Sequence, residues 1–272
     1  MMSSRPRGDR KNLPSERYDA EFFDWLDAAA VRSARIVAPI LLDLLPISSV
    51  VDVGCGRGAW LSVFQELGVE RILGIDGDYV DRDRLAIPIA DFLAHDLTKP
   101  LVLDRGFDLA VSLEVAEHLE ARFAASFVRT LTSLADVVMF SAAIPFQGGT
   151  NHVNEQWPDY WAELFAREEY QVVDVVRPRV WDEPDVEVWY AQNTLLFIAK
   201  RVMDANADLR ALAERPQCPL SIVHPRLFLG PRRHSPRQLV SILKASIIGP
   251  AKQGLIGSAR RLRQWKRKVG RR

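Results

Sequence analysis

Two groups of residues carry chemistry in this sequence. The first is the run Val50-Val51-Asp52-Val53-Gly54-Cys55-Gly56-Arg57-Gly58. Glycines here let the backbone turn sharply and let a ligand approach the peptide closely. An acid, Asp52, stands two residues before the first glycine, and a second, Asp76, follows it by about twenty residues, the spacing at which a carboxylate can hold ribose hydroxyls. Loop and acid together argue for a ligand rather than for a turn that serves packing alone. The second group is Glu114-x-x-Glu117-His118, joined by His152 in Gly148-Gly149-Thr150-Asn151-His152. On a helical turn, positions i, i+3 and i+4 share a face, so Glu114, Glu117 and His118 are expected to converge. Two carboxylates and two imidazoles would suit a divalent metal. The imidazoles could equally take a proton from an acceptor hydroxyl; in a plainer reading His118 buttresses its turn and Glu117 is solvated. We take His118 and His152 as the candidate catalytic residues and assign no metal.

These residues need elements to hold them. Helical patterning runs from Ala20 to Leu45 and stops at Pro46. Short apolar strands then alternate with helices: strands at Ser49–Val53, Arg71–Asp76, Ala90–His95, Phe107–Leu113 and Asp136–Ala142, and helices at Ala59–Leu67, Ala121–Leu134 and Asp159–Arg167. Strands at Tyr170–Arg177 and Asn193–Lys200 complete the set. Near-continuous apolar strands alternating with helices predict a parallel sheet covered on both faces. In such sheets ligands bind beyond the carboxyl ends of the strands, which is where both groups fall.

A dinucleotide-binding loop is the main rival, since Ala59 stands where its third glycine would be and spacing alone does not exclude it. The acid decides. A pyrophosphate needs a free helix N-terminus, and Asp52 would repel it, whereas Asp52 suits an ammonium. Taken in order, Asp52-x-Gly54-x-Gly56-x-Gly58, Gly74-Ile75-Asp76, His95-Asp96-Leu97 and Phe107-Asp108-Leu109-Ala110-Val111-Ser112-Leu113-Glu114-Val115-Ala116-Glu117-His118-Leu119 resemble the motifs of class I S-adenosylmethionine-dependent methyltransferases over about residues 31–201. The resemblance implies an α/β, doubly wound, Rossmann-like sheet of seven mostly parallel strands, whose last strand is antiparallel and inserted beside the fifth. It also implies S-adenosyl-L-methionine as cofactor. Gly54, Gly56 and neighbouring backbone such as Cys55 would meet the methionine part, and Asp76 would bind the ribose, with Gly77 next to it among the cofactor-binding residues. Asp96 would bond the adenine amino group, with Leu97 supplying a backbone contact and Leu113 and Glu114 closing the pocket.

The acceptor is less legible. Tyr160, Trp161 and Phe165 fall at helical spacing and read as core. Trp181 and Trp189 flank the acidic loop Asp182-Glu183-Pro184-Asp185 and could wall a sugar or ring, or close a hairpin. The stretch His152–Trp161 resembles bacterial methyltransferases that modify surface glycans and small molecules, so a small-molecule or glycan hydroxyl is the expected acceptor. Two alternatives stand: a metal-dependent RNA 2′-O-methyltransferase using Glu114, Glu117, His118 and His152, and a non-catalytic protein that kept the cofactor fold and acts through its tail.

That tail is set apart by charge. Residues 215–272 contain 15 Lys and Arg and no Asp or Glu, leaving 21 basic and all 35 acidic residues to the preceding chain. We divide the chain into an N-terminal extension (1–30), the methyltransferase domain (31–201) and a basic C-terminal extension (202–272). Helices are expected at Gln238–Ile248 and Gly254–Val269. In the second, Leu255, Leu262, Trp265 and Val269 interleave with Arg and Lys, so residues 238–272 could contact an anionic membrane surface; a solvated charged helix explains the same pattern, and nucleic acid fits less well beside an acidic body. His95 is expected to pack, and His224 and His234 to be solvated. Two cysteines, Cys55 and Cys218, fit a reducing compartment. The polar start of the chain does not resemble a secretory signal, so the expected location is the cytoplasm, at the inner membrane surface if the tail binds there.

Overall fold

The computed structural model describes residues 20–104, 106–214 and 219–229. The expected helices over 238–248 and 254–269, the membrane contact assigned to 238–272, and His234 lie outside them. Seven strands form one sheet: β1 (Ser49–Val53), β2 (Arg71–Asp76), β3 (Phe92–Ala94), β4 (Leu109–Leu113), β5 (Val137–Ser141), β6 (Tyr170–Val173) and β7 (Leu195–Ala199), in the order β3-β2-β1-β4-β5-β7-β6. The first five pair in parallel, and β7 runs antiparallel to both β5 and β6. This is the expected seven-stranded sheet, with its last strand inserted beside the fifth.

Burial explains the apolar runs. Every residue of β1, β4, β5 and β7 is buried, as strands covered on both faces require. Alternate residues serve opposite layers. Val50, Leu109, Val111, Met139 and Ile198 pack with α1 (Ala20–Leu42) and α2 (Ala59–Glu66). Val51, Val53, Ala110, Val138 and Phe197 pack with α3 (Ala124–Leu134) and α4 (Pro158–Arg167). In the second layer Trp161 and Phe165 are buried, as their spacing predicts, and Phe165 stacks on Phe197 with ring centroids 3.9 Å apart. Pro158 opens α4 at a position where its missing N–H costs nothing.

The structure corrects the ends of the later elements. β6 stops at Val173 rather than Arg177 because Asp174 takes the Arg177 guanidinium in two hydrogen bonds of 3.0 and 2.6 Å; both side chains are buried, and the chain turns into α5 (Arg177–Val180). Asn193 does not begin β7; it ends a further short helix, α6 (Val188–Asn193). The acidic loop therefore joins two helices rather than closing a hairpin. After β7 come α7 (Lys200–Ala205), α8 (Ala207–Ala213) and α9 (Pro225–Leu229).

Candidate functional site

The register of β1 on β2 sets Asp52 beside Gly74 and Val53 beside Ile75, so the glycine loop leaves β1 just where β2 ends. The N–H groups of Gly54 and Cys55 both donate to the Ile75 carbonyl, at 2.7 and 3.2 Å. Gly54 sits at φ +89, and a Cβ there would stand 2.4 Å from a Val115 methyl. Only glycine satisfies both demands. The Gly56 N–H donates to the Asp76 carboxylate at 2.7 Å and the Gly77 N–H at 2.6 Å. Asp76 also accepts the Tyr79 hydroxyl, a partner that the motif spacing does not mark.

A cavity of about 880 Å³ opens beyond these strand ends, within the range of small-molecule sites. Gly54, Asp76, Gly77, Asp96, Leu97, Glu114 and His118 line it, together with Tyr79 and Asn151. Among the described residues, four carboxylates stand on its wall (Asp76, Asp78, Asp96 and Glu114) and no Lys or Arg. Of the other residues expected at the cofactor, Asp52, Cys55 and Leu113 are buried behind the wall, and Gly56 acts on it through its bond to Asp76. Burial, aided by the neighbouring Asp76 carboxylate, pushes Asp52 well above the usual carboxylate range. Burial pushes the Cys55 thiol up as well.

The Glu114–His118 segment departs from the expected helical face. Glu114 takes the left-handed conformation, φ 55, and the following turn, Ala116–His118, is a short 3₁₀ helix. This break separates Glu114 from the rest of its group. Its carboxylate accepts Gln147 Nε2 at 2.8 Å and Asn193 Nδ2 at 3.1 Å, whereas Glu117, His118 and His152 offer ligand atoms all within 4.8 Å of one another. Three of the four expected members meet. Glu117 is fully buried rather than solvated, and neither carboxylate oxygen has a hydrogen-bond partner among the described residues. Burial and the Glu114 carboxylate push its pKa well above the usual range.

His152 reaches the turn because the Glu117 carbonyl accepts the N–H groups of Val153 and Asn154 at 2.8 and 3.0 Å. Its ring meets that of His118 edge to face, and its Nδ1 lies 3.0 Å from Glu155 Oε1. An ionised carboxylate only accepts, so Nδ1 carries a hydrogen, and in the neutral ring Nε2 has the lone pair. Burial works against the Glu155 charge, but the hydrogen bonds from His152 and from the Phe146 and Gly148 N–H groups hold its carboxyl below the usual range. Burial and the neighbouring His152 lower the His118 pKa, which favours the neutral ring.

The remaining expectations divide. His95 does not simply pack: it lines the cavity beside Asp96, with Nε2 3.1 Å from the Lys99 carbonyl. His224 is buried rather than solvated: its ring lies against Trp181, centroids 4.4 Å apart, and Nε2 reaches the Trp181 carbonyl at 2.7 Å. Trp181 is thereby occupied by the chain itself instead of walling an acceptor.

A family model for a methyltransferase domain matches residues 18–189. No curated protein matches the sequence. Similar solved structures include DesVI of Streptomyces venezuelae, 13% identical with a TM-score of 0.49, the match covering 66% of this chain and 98% of that one. They include the methyltransferase domain of bacterial CtHen1-C, 21% identical with a TM-score of 0.45, covering 62% and 98%. They include human N-acetylserotonin methyltransferase in complex with SAM, 16% identical with a TM-score of 0.47, covering 66% of this chain and 55% of that one. The chain thus spans little more than half the length of the human enzyme.

Proposed function

As the chain belongs to the methyltransferase-domain family, we propose that it methylates a hydroxyl of a sugar, a glycan or another small molecule beside His118 and His152. Its cofactor is S-adenosylmethionine, which supplies an electrophilic methyl group on a sulfonium. The observation that carries the cofactor assignment is the cavity wall, where the described residues place four carboxylates and no Lys or Arg. Such a wall attracts a ligand with sulfonium and ammonium charges and repels a pyrophosphate.

Asp76, with Gly77, would hold the ribose. Asp96 and Leu97 would hold the adenine. Gly54, Cys55 and Gly56 would hold the methionine part, with Asp52 behind them and Leu113 and Glu114 closing the pocket. Transfer of the methyl group then needs the acceptor oxygen placed in line and relieved of its proton. His152, with its Nδ1 hydrogen directed at Glu155, would offer Nε2 as that proton acceptor, its ring edge to face with that of His118 on the cavity wall. The test is transfer of labelled methyl groups from S-adenosylmethionine to a panel of monosaccharides, glycans and phenols. Transfer that stops when the acceptor hydroxyl is blocked supports oxygen as the methylated atom, and transfer to amines or thiols alone contradicts it.

One observation favours a second reading. The buried Glu117 carboxyl, with no hydrogen-bond partner among the described residues, lies within 4.8 Å of two imidazoles, and a divalent cation there would favour the charged form that burial opposes. Glu117, His118 and His152 would then hold the ion, and the acceptor hydroxyl would bind it as a ligand, as a 2′-hydroxyl of RNA could. Titration with Mn²⁺ separates the two readings: saturable binding that Glu117→Gln removes supports the cation, and activity untouched by a chelator contradicts it. No helix among the described residues is long and apolar enough to cross a membrane. Contact of residues 238–272 with an anionic membrane, and a cytoplasmic location, remain proposals supported by the charge division of the chain.

A further inference from the structure

A segment near the start of the basic extension, carrying His224, is joined to the cavity by buried amides. Its His224 is fixed at three points: backbone N–H to Gln192 Oε1 at 2.6 Å, Nε2 to the Trp181 carbonyl at 2.7 Å, and Nδ1 from the Arg226 N–H at 3.0 Å. Gln192 in turn donates Nε2 to Asn193 Oδ1 at 2.8 Å. Asn193 donates Nδ2 to Glu114 Oε1 at 3.1 Å and to Gln147 Oε1 at 2.9 Å. Gln147 closes the set, taking the Ile144 N–H on Oε1 at 3.3 Å and giving Nε2 to Glu114 Oε2 at 2.8 Å. Gln192, Asn193 and His224 are each at most 3% exposed.

The direction of these bonds follows from their ends. A backbone N–H can only donate and an ionised carboxylate can only accept. The His224 N–H therefore turns the Gln192 oxygen toward itself and the Gln192 amino group toward Asn193. That in turn sends the Asn193 amino group to Glu114. The Ile144 N–H orders Gln147 in the same sense. Two backbone donors, distant from each other in sequence, thus aim two amide groups at the two oxygens of one carboxylate. Flipping any one amide would set donor against donor or acceptor against acceptor in a buried place, where an unmade hydrogen bond is costly.

We infer that Asn193 is a positioning residue for Glu114, turned to that task through Gln192 by the segment carrying His224, so that a charged carboxylate faces the cofactor. The inference rests on reading the cavity as the S-adenosylmethionine site. Leucine would fill the volume of Asn193; what it could not do is aim the Glu114 carboxylate or support its charge, since burial pushes the Glu114 pKa up and the Asn193 hydrogen bond acts against that rise. The benefit is greatest for a cationic ligand. S-adenosylmethionine carries one positive charge that S-adenosylhomocysteine lacks, so the relay should distinguish the two.

The test is calorimetric titration of the full chain with both compounds, for the wild type, Asn193→Leu, Gln192→Met, Glu114→Gln and the Glu114→Gln/Asn193→Leu pair. Asn193→Leu is expected to weaken S-adenosylmethionine about tenfold more than S-adenosylhomocysteine. Gln192→Met shifts the ratio in the same direction. In the Glu114→Gln background Asn193→Leu shifts it no further, since the route to the ligand is already cut. Asn193→Ser, smaller and still polar, replaces Asn193→Leu if that variant does not fold. Equal weakening of both compounds would show a merely structural amide and overturn the inference, as would a shift that persists in the Glu114→Gln background. A folded wild type that binds neither compound would overturn the cofactor reading beneath it.

Discussion

The rings of His118 and His152 stand edge to face with centroids 4.9 Å apart, although one closes the turn after β4 and the other follows the loop after β5. The carbonyl of Glu117 holds them in register by taking the N–H groups of Val153 and Asn154. Glu155 Oε1, 3.0 Å from Nδ1, fixes the His152 ring.

His152→Ala should therefore lower methyl transfer by about 10²–10⁴-fold, the usual contribution of a positioned base, with cofactor affinity nearly unchanged because His152 does not line the cofactor cavity. Glu155→Gln should fall between that variant and the wild type, since the ring remains and only its orientation is loosened. Initial rates with labelled cofactor, set beside calorimetric affinities, check both. A loss of affinity equal to the loss of rate would place His152 in cofactor binding instead.

Gly54→Ala should be costly in two ways. The residue would be strained at φ +89, and its methyl would run into Val115. A loss of about 1–3 kcal/mol in stability is expected from the backbone alone. Because Val115 adjoins Glu114, cofactor affinity should fall as well. Chemical denaturation and calorimetry would show it; a variant as stable as the wild type would mean that the loop is looser than described. Gly56→Ala would meet nothing within 4 Å and is expected to disturb the fold less.

Much of this was legible in the sequence because the fold depends on local signals. The glycine loop, the strand-end acids and the buried β1, β4 and β5 follow from residue type and spacing, and the sheet realises them. What was illegible depends on contacts between distant segments. The periodicity of Glu114, Glu117 and His118 implied a shared helical face, but a left-handed Glu114 breaks that face and hands its carboxylate to Gln147 and Asn193. Both amides look like ordinary loop or helix-end residues until burial shows what they bond. The basic character of the C-terminal extension likewise hid His224, whose ring is buried on Trp181 because a carbonyl and an N–H satisfy its two nitrogens. Tyr79 offered no signal beyond following Asp76.

Asp108 supplies a stability prediction at acid pH. It joins the starts of β1 and β4, its Oδ2 accepting the N–H and hydroxyl of Ser48 and of Ser49 at 2.8–2.9 Å. Burial opposes its charge, but these four donors hold its pKa below the usual carboxylate value. A carboxyl depressed in the folded state stabilises the protein fully above its unfolded pKa of about 3.9 and ceases to do so as the pH falls through the lower folded value. Asp108→Asn should thus lose stability at neutral pH, by about 1 kcal/mol for hydrogen bonds this exposed. It should also lose part of the acid dependence below about pH 4. Thermal denaturation between neutral pH and pH 3 measures both. Parallel curves for the two proteins would show that Asp108 titrates alike folded and unfolded.

The central claim is that the acid-walled cavity at the ends of β1, β2 and β4 binds S-adenosylmethionine through Asp76. Calorimetric titration of the purified chain with S-adenosylmethionine and S-adenosylhomocysteine tests it most directly, with Asp76→Ala as the comparison and thermal denaturation to confirm that both proteins are folded. The account predicts saturable binding at one site per chain, abolished in the folded Asp76→Ala protein. A folded wild type that binds neither compound, or an Asp76→Ala variant that binds as the wild type does, would contradict it.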